Sequence, residues 1–218
     1  MENAENETYR SVIVEIADLC WTDLNEPDLA AVALAYYYFS IQFRENLLVA
    51  VALYPEDALL QKLMAGECAT DNLSPWPGIA ELCEVMNHDE FMRRAVAISR
   101  IAPERRLAVD HEGVNYLARV RAMPAEVRAC SIASYENGGL ESTFRAMLTA
   151  PSWEAPGLRA FKHFLEAHIH FDSDPDEGHG ALARHLKVDD RILPLWTDFR
   201  DLLITAAPAL IRQVAQAA

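Results

Sequence analysis

LAAVALAYYYFSIQFRENLLVAVALY, residues 29–54, is the most apolar run in the chain. Apolar residues fall on every face of a 3.6-residue period, so the run reads as a helix enclosed by protein. A membrane span needs about 20 apolar residues in succession. Gln42, Arg44, Glu45 and Asn46 interrupt this one, and the segment is assigned to a protein core. Asp28 is the expected N-cap. A core helix of this kind needs other elements packed around it.

The flanking sequence supplies them as helices. Helical spacing of Val12, Val14, Ile16, Ala17 and Cys20 predicts a helix over 7–21. Pro55 is expected in the first turn of the next helix, which SPWPG (74–78) stops. Further helices are predicted over 79–87, 88–99, part of the more polar 103–121, 124–148, 158–173 and 189–216. Gly138-Gly139 weakens the middle of the 124–148 helix. Asp174-Pro175 breaks the helix that ends near Asp172, with Asp174 as the N-cap of a new one. No group of Val/Ile/Thr-rich strands, repeat or long linker is visible. One all-α domain of about seven to nine helices is expected, its core bundle spanning about 28–216.

The chain has 218 residues, enough for one substantial core. Its 33 acidic and 19 basic residues give a net charge of −14. That charge repels phosphate backbones and anionic lipid, which argues against nucleic acid and membrane partners. Cys20, Cys68, Cys83 and Cys130 form no C-x-x-C pair, and the first residues carry no secretion-signal pattern. Reduced thiols in a cytoplasmic protein are expected.

Chemistry-bearing residues concentrate in HIHFDSDPDEGHG, residues 168–180. His168 and Asp172 are four apart and share a helix face. Asp174 and Glu177 serve the start of the next helix, where His179 lies in the second turn. His163 and His170 are read as partly exposed. Elsewhere, Glu67 follows Leu63 by four and Leu60 by seven, on an apolar stripe. Glu136 stands in the same relation to Ile132 and Ala129. His88 is in register with Phe91 and Met92. A carboxylate on an inward stripe is costly unless it is paired or bound to metal. Glu67, His88, Glu136, His168, Asp172 and His179 together offer three carboxylates and three imidazoles from several helices. Mixed nitrogen and oxygen donors suit iron, with manganese as the alternative, and six donors suit a dinuclear centre.

This set resembles the haem-oxygenase-like di-iron oxidases and oxygenases, whose seven-helix bundle is shared with thiaminase II and pyrroloquinoline-quinone synthase. LMAGEC supplies Glu67, NHDEFM supplies His88, SYENGG supplies Glu136, and HIHFD…EGHGALA supplies His168, Asp172 and His179. The resemblance covers about residues 30–215, and the late motif is its specific part. It implies two iron ions, O2 as co-substrate and oxidation of a small amine or amino-acid-like metabolite. The reaction would be N-oxygenation, desaturation or C–C cleavage. By the same analogy a homodimer is expected. Two features depart from the family pattern. SDPDEG lengthens the gap before His179, and SPWPGIAELCEVMN separates Glu67 from His88, which leaves Glu81 as a rival first carboxylate. The YYYFS run (36–40) would line part of the pocket, with two of its three tyrosines left to ordinary packing. Two other readings stand beside this one. The first is a metal-free, thiaminase-II-like enzyme with Cys130 as nucleophile. The second is a non-catalytic helical binding protein.

Overall fold

A computed structural model describes residues 8–172, 183 and 185–211, without the side chains of Asn137 and Asp172. After α1 (Tyr9–Ala17), the apolar run becomes one 28-residue helix, α2 (Glu26–Leu53). Asn25 and Asp28 cap it reciprocally. The Asn25 side chain accepts from the Asp28 amide at 3.0 Å, and the Asp28 carboxylate accepts from the Asn25 amide at 3.3 Å. Asp28 is therefore the third helical residue rather than the N-cap, the capping-box arrangement.

Seven more helices follow α2 among the described residues: α3 (Ala58–Cys68), α4 (His88–Ala97), α5 (Pro103–Arg121), α6 (Ala125–Ser134), α7 (Leu140–Met147), α8 (Pro156–Asp172) and α9 (Leu193–Ala206). The expected all-α class holds. Helix α2 packs against α3, α4, α5, α6, α8 and α9, so it forms the axis of the bundle. Each polar residue that interrupted its apolar run meets a partner. Gln42 accepts from the Tyr116 hydroxyl at 2.7 Å, and Arg44 donates to Asp89 at 3.0 Å. Glu45 accepts from Arg121 at 2.6 Å, and Asn46 donates to Ser131 at 3.0 Å. Such pairing is what makes polar groups tolerable inside a bundle.

Several expected boundaries move. Helix α3 starts on Asp57, whose carboxylate accepts from the Leu59 and Leu60 amides at 3.0 and 3.1 Å, and not on Pro55. No helix forms over 79–87. Residues 69–87 instead make an irregular connection with isolated antiparallel bridges at Thr70–Met86 and Trp76–Ala80. Leu82 and Val85 are exposed, so this stretch has no apolar face to dock as a helix. Gly78 and Cys83 have φ of 78° and 58°, outside the right-handed helical region. Conversely, α5 fills all of 103–121. Its polar side is spent on contacts such as Arg119–Asp198 at 2.9 Å and Tyr38–Asp110 at 3.0 Å. Among the described residues the last α-helix ends at Ala206, where Ala207 leaves the helical region ahead of Pro208. The core also reaches further back than residue 28, because α1 packs on α7 and α9 and buries Val12 and Ile16. Val14, counted in the helical pattern of this segment, is exposed.

Tyr36 lies at the centre of an aromatic cluster. Its ring is 5.4–5.6 Å from those of Phe39, Phe144, Phe161 and Phe164, which ties α2 to α7 and α8. The candidate site lies against this cluster. No helix among the described residues is long and apolar enough to cross a membrane.

Candidate metal centre

Four of the six sequence-predicted ligands line one cavity: Glu67, His88, Glu136 and His168. Each is only 5–6 % exposed. Glu67 comes from the last turn of α3, His88 is the first residue of α4, and His168 lies in the final turns of α8. Asp172 closes α8, but its side chain is not described, and His179 lies outside the described residues. Glu81 is exposed in the irregular connection, so the inward carboxylate beside His88 is Glu67. The pocket takes Tyr36 and Ser40 from the YYYFS run, while Tyr37 and Tyr38 pack half-buried outside it. His163 stacks on Trp76 with ring centroids 4.4 Å apart, and His170 is exposed.

Glu136 reaches the cavity through a local departure from α-helix. Residues Tyr135–Gly139 wind as a single π turn between α6 and α7. Such turns insert a residue into a helix and shift side-chain registration, frequently at functional sites. Glycine permits it here. Gly138 has φ of 90°, and a Cβ on Gly139 would collide with the Ser134 carbonyl and the Trp196 ring.

Glu67, His88 and His168 form a tighter group, with one potential ligand atom from each lying within 4.8 Å of the other two. The Glu67 Oε2 atom is 2.6 Å from His88 Nδ1, which is itself 3.0 Å from His168 Nε2. The outward nitrogens fix the tautomers. His168 Nδ1 is 2.8 Å from the Phe164 carbonyl, and His88 Nε2 is 3.0 Å from Asn72 Oδ1. Both partners are acceptors, so both outward nitrogens carry hydrogen. The Asn72 amide is oriented by its own donation to the Gly66 carbonyl at 3.3 Å. In the neutral imidazoles, His88 Nδ1 and His168 Nε2 then present lone pairs toward each other and toward a carboxylate. Three electron-rich atoms drawn this close favour a positive charge near them, either a proton on His88 or a bound cation. One proton on His88 can serve only one of its two neighbours at a time. Histidine metal ligands are oriented in this same way, with the second ring N–H held by a carbonyl or carboxylate.

The surroundings suit a small ion. The cavity has about 20 Å³ in which a water-sized sphere can be centred, room for about one such body. Phe164 stacks on His168 at 4.0 Å and fixes its ring. Cys68, next to Glu67, is pushed up to about 12 by burial and then by the Glu67 charge, so its thiol stays protonated. Cys130 lines a separate cleft with His185 and Asp57, and burial raises its thiol as well, the wrong direction for a nucleophile.

Sequence spacing did not identify two residues that shape the site. Asn72 lies in the irregular connection, where no periodicity can orient it. Arg44 had a signal, as a charge within an otherwise apolar central helix. Comparison with known proteins finds no match: no family model fits the chain, and neither a curated protein nor a solved structure is significantly similar to it.

Proposed function

We propose that this chain is a non-haem iron oxidase or oxygenase that uses O2 to oxidise a small amine or amino-acid-like metabolite. The observation that carries the metal site is the convergence of Glu67, His88 and His168 with both outward ring nitrogens committed to acceptors. A buried trio of this kind fits a divalent cation better than it fits an apolar core. Two imidazoles and one carboxylate suit iron(II) or manganese(II) and leave coordination positions open. The cysteines do not compete, so a soft thiolate site is disfavoured.

In this reading Glu67, His88 and His168 hold the first metal. Glu136 would serve a second, with Asp172 and His179 completing its shell. Iron held there supplies electrons for O2 reduction and the oxidising power directed at the substrate. The protein's own part is positioning. The Phe164 carbonyl and Asn72 keep the imidazole lone pairs aimed inward. Tyr36, Phe43, Leu140 and Phe164 wall the cavity with apolar surface that limits water and strengthens the electrostatics inside it. The resemblance in motif order supplies the oxidase chemistry and the substrate class.

One observation favours a narrower alternative. Among the described residues only three ligand atoms converge, the count of a mononuclear two-histidine, one-carboxylate site. Anaerobic reconstitution with Fe(II), followed by metal analysis and addition of O2, separates the two. Near two irons per chain and a transient visible absorbance support the dinuclear centre, and one iron supports the mononuclear form. No iron retained by the wild type, and no difference in His168→Ala, would sink both.

A further inference from the structure

Arg44 lines the same cavity as Glu67, His88, Glu136 and His168. It is one of the few charged residues on α2, and its side chain is 31 % exposed. Its Nε donates to Asp89 Oδ2 at 3.0 Å, and the Asp89 side chain is only 12 % exposed. Asp89 follows His88 on α4, so the same turn that presents the imidazole also braces the guanidinium. That single bond is all Arg44 makes among the described residues. Its Nη1 and Nη2 groups meet no protein acceptor there. Other partly buried arginines behave differently. Arg94 is shared by Glu84, Glu90 and the Ile79 carbonyl, and Arg119 is shared by Glu112 and Asp198.

We propose that Arg44 anchors the carboxylate of a small monoanionic ligand at the mouth of this cavity, with its Nη1/Nη2 edge as the receiving fork. As a statement about substrate it rests on the oxidase reading, and as an anion site it can be measured alone. With Nε occupied, the remaining edge presents two parallel N–H groups, the geometry that matches two oxygens of one carboxylate. A dianionic phosphate would face the Glu67, Glu136 and Asp89 carboxylates across the same small space. The chain as a whole carries −14, so an arginine with unspent donors beside buried acids is a local exception that selects a single negative charge. The cavity has room for about one water-sized body, so the carboxylate sits at its edge beside Arg44 and the remainder of the ligand lies outside.

The test uses propionate, its neutral isostere propionamide and inorganic phosphate as probes. Each is titrated calorimetrically into metal-free and Co(II)-loaded full-length protein. Propionate is expected to bind at least about tenfold more tightly than propionamide and more tightly than phosphate. In Arg44→Gln propionate affinity should fall at least about tenfold, with Co(II) stoichiometry unchanged. Propionate no tighter than propionamide in the wild type overturns the proposal, and this arm needs no variant to fold. Equal or tighter phosphate binding overturns it too, as does an Arg44→Gln protein that binds propionate within about twofold of wild type. The two readings fail separately. Co(II) binding without an Arg44 effect overturns this site and leaves the metal centre. An Arg44-dependent propionate site in protein that binds no Co(II) supports this site and removes the metal centre.

Discussion

Helix α2 runs between two buried polar clusters that are wired in opposite ways. Where it meets α5 and the π turn, every donor faces an acceptor. Gln42 accepts from Tyr116 at 2.7 Å and donates to the Tyr135 hydroxyl at 3.3 Å, and Trp196 donates to Ser134 at 3.1 Å. Where it meets α3, α4 and α8, the atoms that face one another are a carboxylate oxygen and two imidazole nitrogens whose hydrogens point elsewhere. The first cluster is complete in itself and fixes how the helices sit. The second brings three potential ligand atoms close enough together to hold a metal ion. Burial alone therefore does not separate the two clusters, because both are buried. What separates them is the kind of atoms brought face to face.

The largest expected effect tests that difference directly. Glu67→Gln removes a negative charge and adds an N–H donor facing His88 Nδ1. Metal affinity should fall by about 1,000-fold, beyond the roughly 10- to 100-fold typical of a supporting residue. The metal-free protein should be as stable as wild type or more stable, because a donor now meets the His88 Nδ1 lone pair. Melting curves with and without Co(II) read both effects. A metal-free variant that loses stability would break the contrast between the clusters.

Gln42→Ala is the counterpart on the other side. It leaves the Tyr116 and Tyr135 hydroxyls buried without their shared partner and opens a small void. A loss of about 2–4 kcal/mol is expected in denaturant unfolding, equal with and without metal. A metal-dependent loss would mean the two clusters are coupled through α2.

Asn72→Ala is subtler. It deletes the acceptor that holds His88 Nε2–H without touching a ligand atom. Metal affinity should drop about 10- to 100-fold, with stability within about 1 kcal/mol of wild type. Unchanged affinity by competition with a chelator would show that the His88 tautomer needs no outside support.

The smallest effect lies on the surface. Glu90 is held by Arg93 foremost and by Arg94, which draws its carboxyl down to about 2 from 4.5. A depressed folded value gives stability that is full above 4.5 and is lost as pH falls toward 2. Glu90→Gln should flatten that acid decline by under about 1 kcal/mol, because these side chains are exposed enough for solvent to screen them. A larger change in melting temperature between about pH 6 and about pH 2 would place Glu90 among the buried clusters.

Much of the architecture was legible in the residues. The run at 29–54 announced a helix enclosed on all sides, and the inward spacing of Glu67, Glu136, His88 and His168 placed all four on faces that now line one cavity. Local rules failed where local signals conflicted. Residues 79–87 carry apolar residues at helical spacing, but Leu82 and Val85 have no neighbouring surface to cover them, and the chain turns instead. The π turn around Glu136 was visible only as a Gly-Gly weakness.

By itself, the sequence determined which residues face inward, because a 3.6-residue period converts spacing into a helix face without reference to the rest of the fold. It thereby determined the all-α class and the donor types on offer. Only the tertiary structure decided which inward residues meet. It chose Glu67 over Glu81, set His88 against His168, and brought Asn72 and Arg44 to the site. Each of these depends on how the helices and the 69–87 connection pack together, and that is fixed by the whole core rather than by any one segment.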